Sequence, residues 1–406
     1  MGRSLSLTSP PTFLILCVAV VALSWRFGRR ASVLTLCGLS LAFIVTLYPS
    51  PTSLAVLLGA IAVHFVSLRA MQAADQRLRR AIFYVWLTFG LTGFIIVKKY
   101  TWATSLILPY DWLNHDLSSI GYSFLLFRQI HMSIEVRDDP ARLTFDLVNY
   151  LAYQLAFWTF LAGPIQRFPD FQASVDRMAG EGATTRETLL GLNRAMIGFF
   201  KMFLVAASIK TVCGSELFLS RPSVISFLIM AMAFPAYLYI NFSGYCDIAL
   251  GLAQAVGFTL PENFNCPFLA RNSVEFWNRW HISLSEFFRD YMFFPLQVAL
   301  ARHGRPLVAL AVAALASFTV MGAWHGSHFR FVIFGLIHGL GVLSCQLYGV
   351  YLKKRCTRET RQFLAKSRAI RCLSIVGFQS FVVLSFLPFQ FDPSEIRKLG
   401  AALVGG

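Results

Sequence analysis

Long apolar runs separated by short polar turns make up most of this chain. A bilayer-spanning helix needs about 20 mostly apolar residues, with a range of about 17–25. Stretches 9–25, 32–49, 53–69, 81–98, 118–136, 145–165, 194–213, 221–242, 306–323, 328–350 and 371–389 meet that requirement. The pattern predicts an all-α integral membrane protein of about eleven transmembrane helices, forming a single polytopic domain over residues 1–406. The interruptions are as informative as the runs. In FLAGPIQRFPDF (160–171), Gly163-Pro164 breaks the helix, because proline lacks the amide donor and clashes with the preceding turn. Arg167 and Asp170 follow at the surface, and the polar segment 172–193 reads as a surface loop with one short helix. Segment 244–258 is too short and too rich in glycine to cross alone. Segment 272–297 is apolar and charged together, so it lies at an interface or re-enters the bundle around a cavity.

Composition agrees with a membrane protein. Of 406 residues, 56% are hydrophobic and 14% charged, against about 25% charged in soluble domains. The formal charge of +16 raises the question of nucleic acid, but the basic residues fall in short loops between apolar runs, as cytoplasmic loops require. No basic groove interleaved with aromatics accompanies them, so nucleic acid is excluded as a partner. Arg26, Arg29 and Arg30 follow the first span, and Arg69, Arg77, Arg79 and Arg80 follow the third, whereas the turn 49–53 between the second and third is uncharged. This bias places the N-terminus outside. The run KKRCTRETRQFLAKSRAIR (353–371) sets Lys353, Lys354, Arg355, Arg358, Arg361, Lys366, Arg368 and Arg371 against one acid, Glu359, and should also be cytoplasmic. Its basic face suits anionic lipid or a docking partner. Arg3 and the apolar run 12–25 mimic a signal peptide, but without a small-residue cleavage site they read as an uncleaved first helix. Trp102, Pro109, Tyr110, Asp111 and Trp112, between 98 and 119, suit a membrane interface. The eight cysteines form no CxxC pair and read as small buried hydrophobes.

Candidate chemistry concentrates between Asn241 and Gly339, where titratable residues sit at membrane depth and need a functional or pairing reason. His281, in FWNRWHISLSEFFRDY, and His325, in MGAWHG, stand out. Asn272 and Ser273 can cap the helix ahead of His281, and Glu286 can pair with Arg289. Segment 272–297 is the expected crossing between Ser243 and Arg305, which puts His281 at membrane depth. Gly322 and Gly326 flank His325 and allow close approach of backbone or substrate. His338 reads as a hydrogen-bonded bundle residue, while His64, His115, His303 and His328 carry no assigned role. Upstream, Arg128, His131 and Glu135 share one helical face, where an Arg–Glu pair can turn into the bundle.

LAGPIQRFPDF, NFSGYCDIALGLAQAVGF, PENFNCPF, FWNRWHISLSEFFRDY and MGAWHG with GLIHGLG cover roughly residues 121–341, and together they resemble the membrane-bound O-acyltransferase (MBOAT) superfamily in its bacterial branch. FRQIHMSIEVRD and FWNRWH look more like its D-alanine-transferring members, NFSGYCDIALGLAQ more like its O-acetylating ones. The resemblance implies helices around a central funnel, and acyl transfer across the membrane. It makes His325 the catalytic histidine and His281 the second, frequently essential, one. A neutral imidazole can take the proton of an attacking hydroxyl and return it to a leaving thiolate. The oxyanion needs donors, for which Trp280, Trp324, Asn278 and Ser283 are candidates, with Trp277 beside them in the substrate site. The implied co-substrate is a thioester acyl donor, either carrier-protein phosphopantetheine or coenzyme A, with no bound cofactor and no metal. The implied partners are an acyl carrier protein on the cytoplasmic side, an extracytoplasmic acceptor or accessory acyltransferase, and membrane lipid. The expected location is the bacterial cytoplasmic membrane. The alternative is a transporter or acyl-export channel that uses Arg128, Glu135 and Asp247 without chemistry. It predicts broken helices repeated in both halves, whereas the polar residues concentrate in the second.

Overall fold

The computed structural model describes residues 29–48, 50–100, 121–214 and 223–405. The expected span 9–25 and the aromatic loop 98–119 (apart from residues 98–100) lie outside them. The described chain is helical: α1 Arg29–Leu47, α2 Pro51–Ala73, α3 Gln76–Val97, α4 Tyr122–Asp138, α5 Leu147–Leu155, α6 Phe157–Phe160, α7 Phe168–Gly180, α8 Thr185–Lys210, α9 Val224–Ala255, α10 Ser273–Trp277, α11 Ile282–Phe288, α12 Phe294–Ala301, α13 Pro306–His325, α14 Phe329–Arg355, α15 Arg358–Lys366, α16 Arg368–Ser385, α17 Leu387–Gln390 and α18 Pro393–Gly405. Among the described residues, seven helices are long and apolar enough to cross a membrane: α2, α3, α8, α9, α13, α14 and Arg368–Gln390, with the shorter Ala31–Leu47 beside them. The protein is a multi-pass membrane protein. Its seven described cysteines are all free thiols.

Several sequence expectations change. Segment 244–258 is not a separate element, because α9 runs unbroken through Asn241 and Gly244 to Ala255, with Pro235 inside it. Segment 172–193 is largely helical: α7 buries Phe168, Phe171, Val175 and Met178, and α8 starts at Thr185 rather than at 194. The expected span 118–136 becomes α4, which is buried along most of its length and not lipid-facing. The expected span 145–165 is broken at Ala156. The proposed crossing 272–297 is a series of short helices, which no single apolar helix replaces.

The chain divides into two compact units. In the first (Met1–Gly198 with Tyr245–Pro261), the break at Ala156 leaves the last carbonyls of α5 without intrahelical donors. Buried Arg128 fills that gap. Its guanidinium donates to the carbonyls of Tyr153 (2.8 Å) and Gln154 (2.6 Å) and to the Thr159 hydroxyl. Arg128 therefore does not pair with Glu135, which is bonded instead to Arg142 at 2.7 Å and lies 3.8 Å from His131. A buried cation is tolerated when carbonyls surround it, and here it closes a broken helix. His64, which sequence alone leaves without a role, is fully buried as a further anchor. Tyr150 gives its one proton to the Ile61 carbonyl, so His64 Nδ1–H donates to Tyr150 (2.8 Å) and Nε2 accepts from Ser133 (3.0 Å).

The second unit (Phe199–Gly244 with Glu262–Gly406) is organised by the α13–α14 hairpin. Gly322 and Gly335 let the two backbones touch: a Cβ on Gly335 would run into the Phe318 carbonyl oxygen, and one on Gly322 into that of Phe331. Around the hairpin, Phe276, Phe334 and Phe386 enclose His338, whose Nε2–H donates to Ser385 (3.0 Å), since that hydroxyl already donates to Val382.

Gly335→Val should therefore destabilise the detergent-solubilised protein by about 1–3 kcal/mol or more, seen as a lowered melting temperature. Gly349→Ala, on the same helix with open space around it, should leave the melting temperature unchanged or slightly raised.

Candidate active site

All elements of the site belong to the second unit. α10 is started by Asn272, whose side chain accepts from the Glu275 amide at 2.9 Å. Glu275 in turn holds Arg271 (2.9 Å) and Arg279 (3.0 Å). α10 ends at Trp277, and α11 begins five residues later in a new direction. The reversal is made at His281, which sits in the left-handed region at φ 45°, ψ 53°. A side chain there costs about 1–3 kcal/mol, so something must hold it.

That restraint is the segment Glu262–Pro267. Phe264 and Trp280 form a short antiparallel bridge. The Asn265 amide donates to the Arg279 carbonyl (2.9 Å), and the Ile282 amide donates to the Asn263 carbonyl (3.0 Å). The side chain of Asn263, which is completely buried, completes the clamp. Its Oδ1 accepts from the Ser283 amide (3.1 Å), the Ser283 hydroxyl (2.9 Å) and His281 Nδ1 (3.3 Å). A backbone N–H can only donate, so the atom facing it is the amide oxygen. His281 must then carry its proton on Nδ1, leaving the lone pair on Nε2. Hydrogen bonds at about 0.5–1.5 kcal/mol each offset the strain of the turn. His281 lies outside the seven long helices. Its burial first, and the neighbouring His325 after it, hold its pKa well below the ordinary histidine range.

His325 arrives from another direction, as the last residue of α13. Trp324 packs against both imidazoles, with ring centroids 6.4 Å from His281 and 4.8 Å from His325. Phe242 packs edge-on against His281 at 4.8 Å, and Phe389 against His325 at 5.3 Å. His281 is 3% exposed while His325 is only half-buried, so His325 is the more reachable ring. Gly326 makes room for the Phe331 ring.

The remaining sequence candidates divide. Trp280 is a packing residue, stacked on Phe276 and edge-on to Phe264 and Phe386. The Ser283 hydroxyl proton goes to Asn263, so it is not an oxyanion donor. Trp277 and Asn278 line a cavity of about 440 Å³, together with Ser285, Arg289, Ser317 and Met321. Neither histidine lines this cavity, but Ile282, next to His281, and Met321, one helical turn before His325, form part of its wall. Trp277 Nε1 and Ser317 Oγ are buried there without a hydrogen-bond partner among the described residues. Buried donors are rarely left this way unless something else accepts from them. Glu286 and Arg289 at the wall approach to 3.7 Å, the expected pair, and Arg289 also bonds Asp290 at 2.9 Å. Sequence alone does not single out Asn263 or Ser317. Asn263 lies in a turn whose partner segment is distant along the chain, and Ser317 has the sequence context of any serine in an apolar helix.

Comparison with known proteins follows the same residues. The sequence model of the membrane-bound O-acyltransferase family matches residues 125–387. The chain is 34% identical over 227 residues to the probable alginate O-acetylase AlgI of Azotobacter vinelandii, covering 56% of this chain and 44% of that protein. It is 29% identical over 289 residues to the teichoic acid D-alanyltransferase of Bacillus subtilis, covering 70% of this chain and 72% of that one. With the peptidoglycan O-acetyltransferase of Helicobacter pylori it shares 29% identity over 290 residues, covering 67% and 54% respectively. The chain thus spans about half the length of the alginate O-acetylases it matches.

Asn263→Ala should leave a buried amide and an imidazole N–H without an acceptor, at about 1–3 kcal/mol. The expected result is a lower melting temperature and faster modification of His281 by diethyl pyrocarbonate. Unchanged values for both would show that Asn263 does not hold the turn.

Proposed function

The chain belongs to the membrane-bound O-acyltransferase family, and on that footing we propose that it moves an acyl group, acetyl or D-alanyl, from a thioester to a hydroxyl. His325 is the general base. Its imidazole takes the hydroxyl proton as the oxygen attacks the acyl carbonyl. The tetrahedral oxyanion collapses, the carbon–sulfur bond breaks, and the imidazolium returns the proton to the thiolate. The products are an ester and a thiol. His281, kept neutral with Nε2 as acceptor, positions the donor or assists as a further base. The observation that carries this reading is the meeting of two imidazoles from separate elements around Trp324, one buried and one reachable.

The donor in this proposal is carrier-protein phosphopantetheine or coenzyme A, entering from the cytoplasmic side. A pantetheine arm carries amide carbonyls, and the cavity offers unsatisfied donors at Trp277 and Ser317 inside apolar walls. Asn278, Arg289, Phe294 and Gln346 are exposed at its edge. The acceptor is a hydroxyl of an extracytoplasmic glycopolymer, or of a membrane-anchored intermediate handed to an accessory acyltransferase. The relatives act, by their names, on alginate, teichoic acid and peptidoglycan. We place the protein in the bacterial cytoplasmic membrane with the N-terminus outside and the basic segment 353–371 inside, following the distribution of Lys and Arg.

In liposomes with donor inside and acceptor outside, His325→Ala should lower acyl transfer at least about a hundredfold. Transfer at the wild-type rate would refute the assignment. Trp277→Phe, which keeps the ring and removes the N–H, should raise the donor KM about fivefold with little change in kcat. An unchanged KM would move the donor out of this cavity.

A further inference from the structure

The loop between the last two long helices concentrates basic residues. Several described arginines elsewhere find carboxylates: Arg142 with Glu135, Arg194 with Asp247, Arg271 and Arg279 with Glu275, Arg330 with Asp392. Lys353, Lys354, Arg355, Arg358, Arg361, Lys366, Arg368 and Arg371 share only Glu359 in their own segment. Glu359 lies in the first turn of α15, which Thr357 caps. Among the described residues none of the eight cations is in an ion pair with a carboxylate, so the segment presents uncompensated charge.

Its position limits what can meet that charge. α14 ends at Arg355, α15 spans Arg358–Lys366, and α16 starts at Arg368. With two residues on one side and one on the other, α15 cannot move away from the ends of two membrane-crossing helices, so it lies in the headgroup layer. The apolar side chains agree. Tyr348 and Tyr351 are 56% and 57% exposed just before the lysines, as aromatics at a membrane interface are. Phe363 is 66% exposed on α15 itself, one turn from Lys366, and Leu373 is 73% exposed just past Arg371. A water-facing surface docking an acidic protein has no need of a phenylalanine on the same short helix. An interfacial helix does, because the ring enters the acyl boundary while the cations stay with the phosphates.

We propose that α15 with its flanking residues is an anionic-lipid site, binding negatively charged phospholipid headgroups through Arg358, Arg361, Lys366 and Arg368 with Phe363 inserted beside them. The site is independent of the acyl-transfer reading, because none of its residues belongs to the histidine site or the adjoining cavity.

The test is native mass spectrometry of the full chain in neutral detergent, titrated with phosphatidylglycerol or with phosphatidylcholine of the same acyl chains. Wild type should retain phosphatidylglycerol at least about fivefold more tightly. The variant R358Q/R361Q/K366Q/R368Q should bind the two lipids equally, and R358K/R361K should keep the preference. Equal binding by wild type, or a preference that survives in the glutamine variant, would overturn the proposal. So would displacement of phosphatidylglycerol by inorganic phosphate at equal concentration, which would indicate a free-phosphate site.

Discussion

One side-chain oxygen, Asn263 Oδ1, takes hydrogen bonds from Ser283 and from His281 and so holds a histidine in a backbone conformation that side chains avoid. Much else about the site follows from that restraint. Without it, α10 and α11 have no reason to change direction at residue 281. With it, the imidazole is buried, its proton is assigned to Nδ1, and its Nε2 lone pair faces away from the clamp. The same segment that supplies Asn263 also bridges Trp280 to Phe264, so the aromatic packing and the polar clamp reinforce each other.

Buried histidines recur through the molecule, each held by hydrogen bonds to neighbouring elements. His64 donates to a tyrosine and accepts from a serine. His131 accepts the Phe168 amide at 3.0 Å. His338 donates to a serine that has no proton left to give. In an apolar bundle a charged imidazole is costly, and each of these rings uses at least one nitrogen in a hydrogen bond. His325 differs in being half-buried at a helix end, beside the ring whose partners are fixed. The proposed acyl transfer uses this division: one group able to gain and lose a proton, next to another held by its clamp.

The apolar runs are legible as helices because length and hydropathy dictate them, and the two histidines are legible because titratable groups are conspicuous among such runs. Other features depend on contacts across the sequence. Nothing in residues 145–165 reveals that the helix breaks at Ala156, because the break is stabilised by Arg128 from α4. Ser243, Gly244 and Asp247 have the composition of a turn, which divides α9 in two on sequence grounds. Asp247 is instead matched by Arg194, 3.0 Å away, so the helix continues. Asn263 lies in the proline-bounded segment PENFNCPF, which turns against the chain around His281. Its role appears only when the turn is laid against Ser283. Trp280 and Ser283, chosen for their donors, pack against aromatic rings and clamp Asn263.

The state of His281 tests this account most directly. Solid-state ¹⁵N spectra of histidine-labelled protein, with the His281→Gln spectrum subtracted, report which ring nitrogen holds the proton. The expected result is a neutral ring protonated on Nδ1, persisting well below the ordinary histidine midpoint of about 6.5. A ring protonated on Nε2 instead, or one that gains its second proton near that ordinary midpoint, would contradict it.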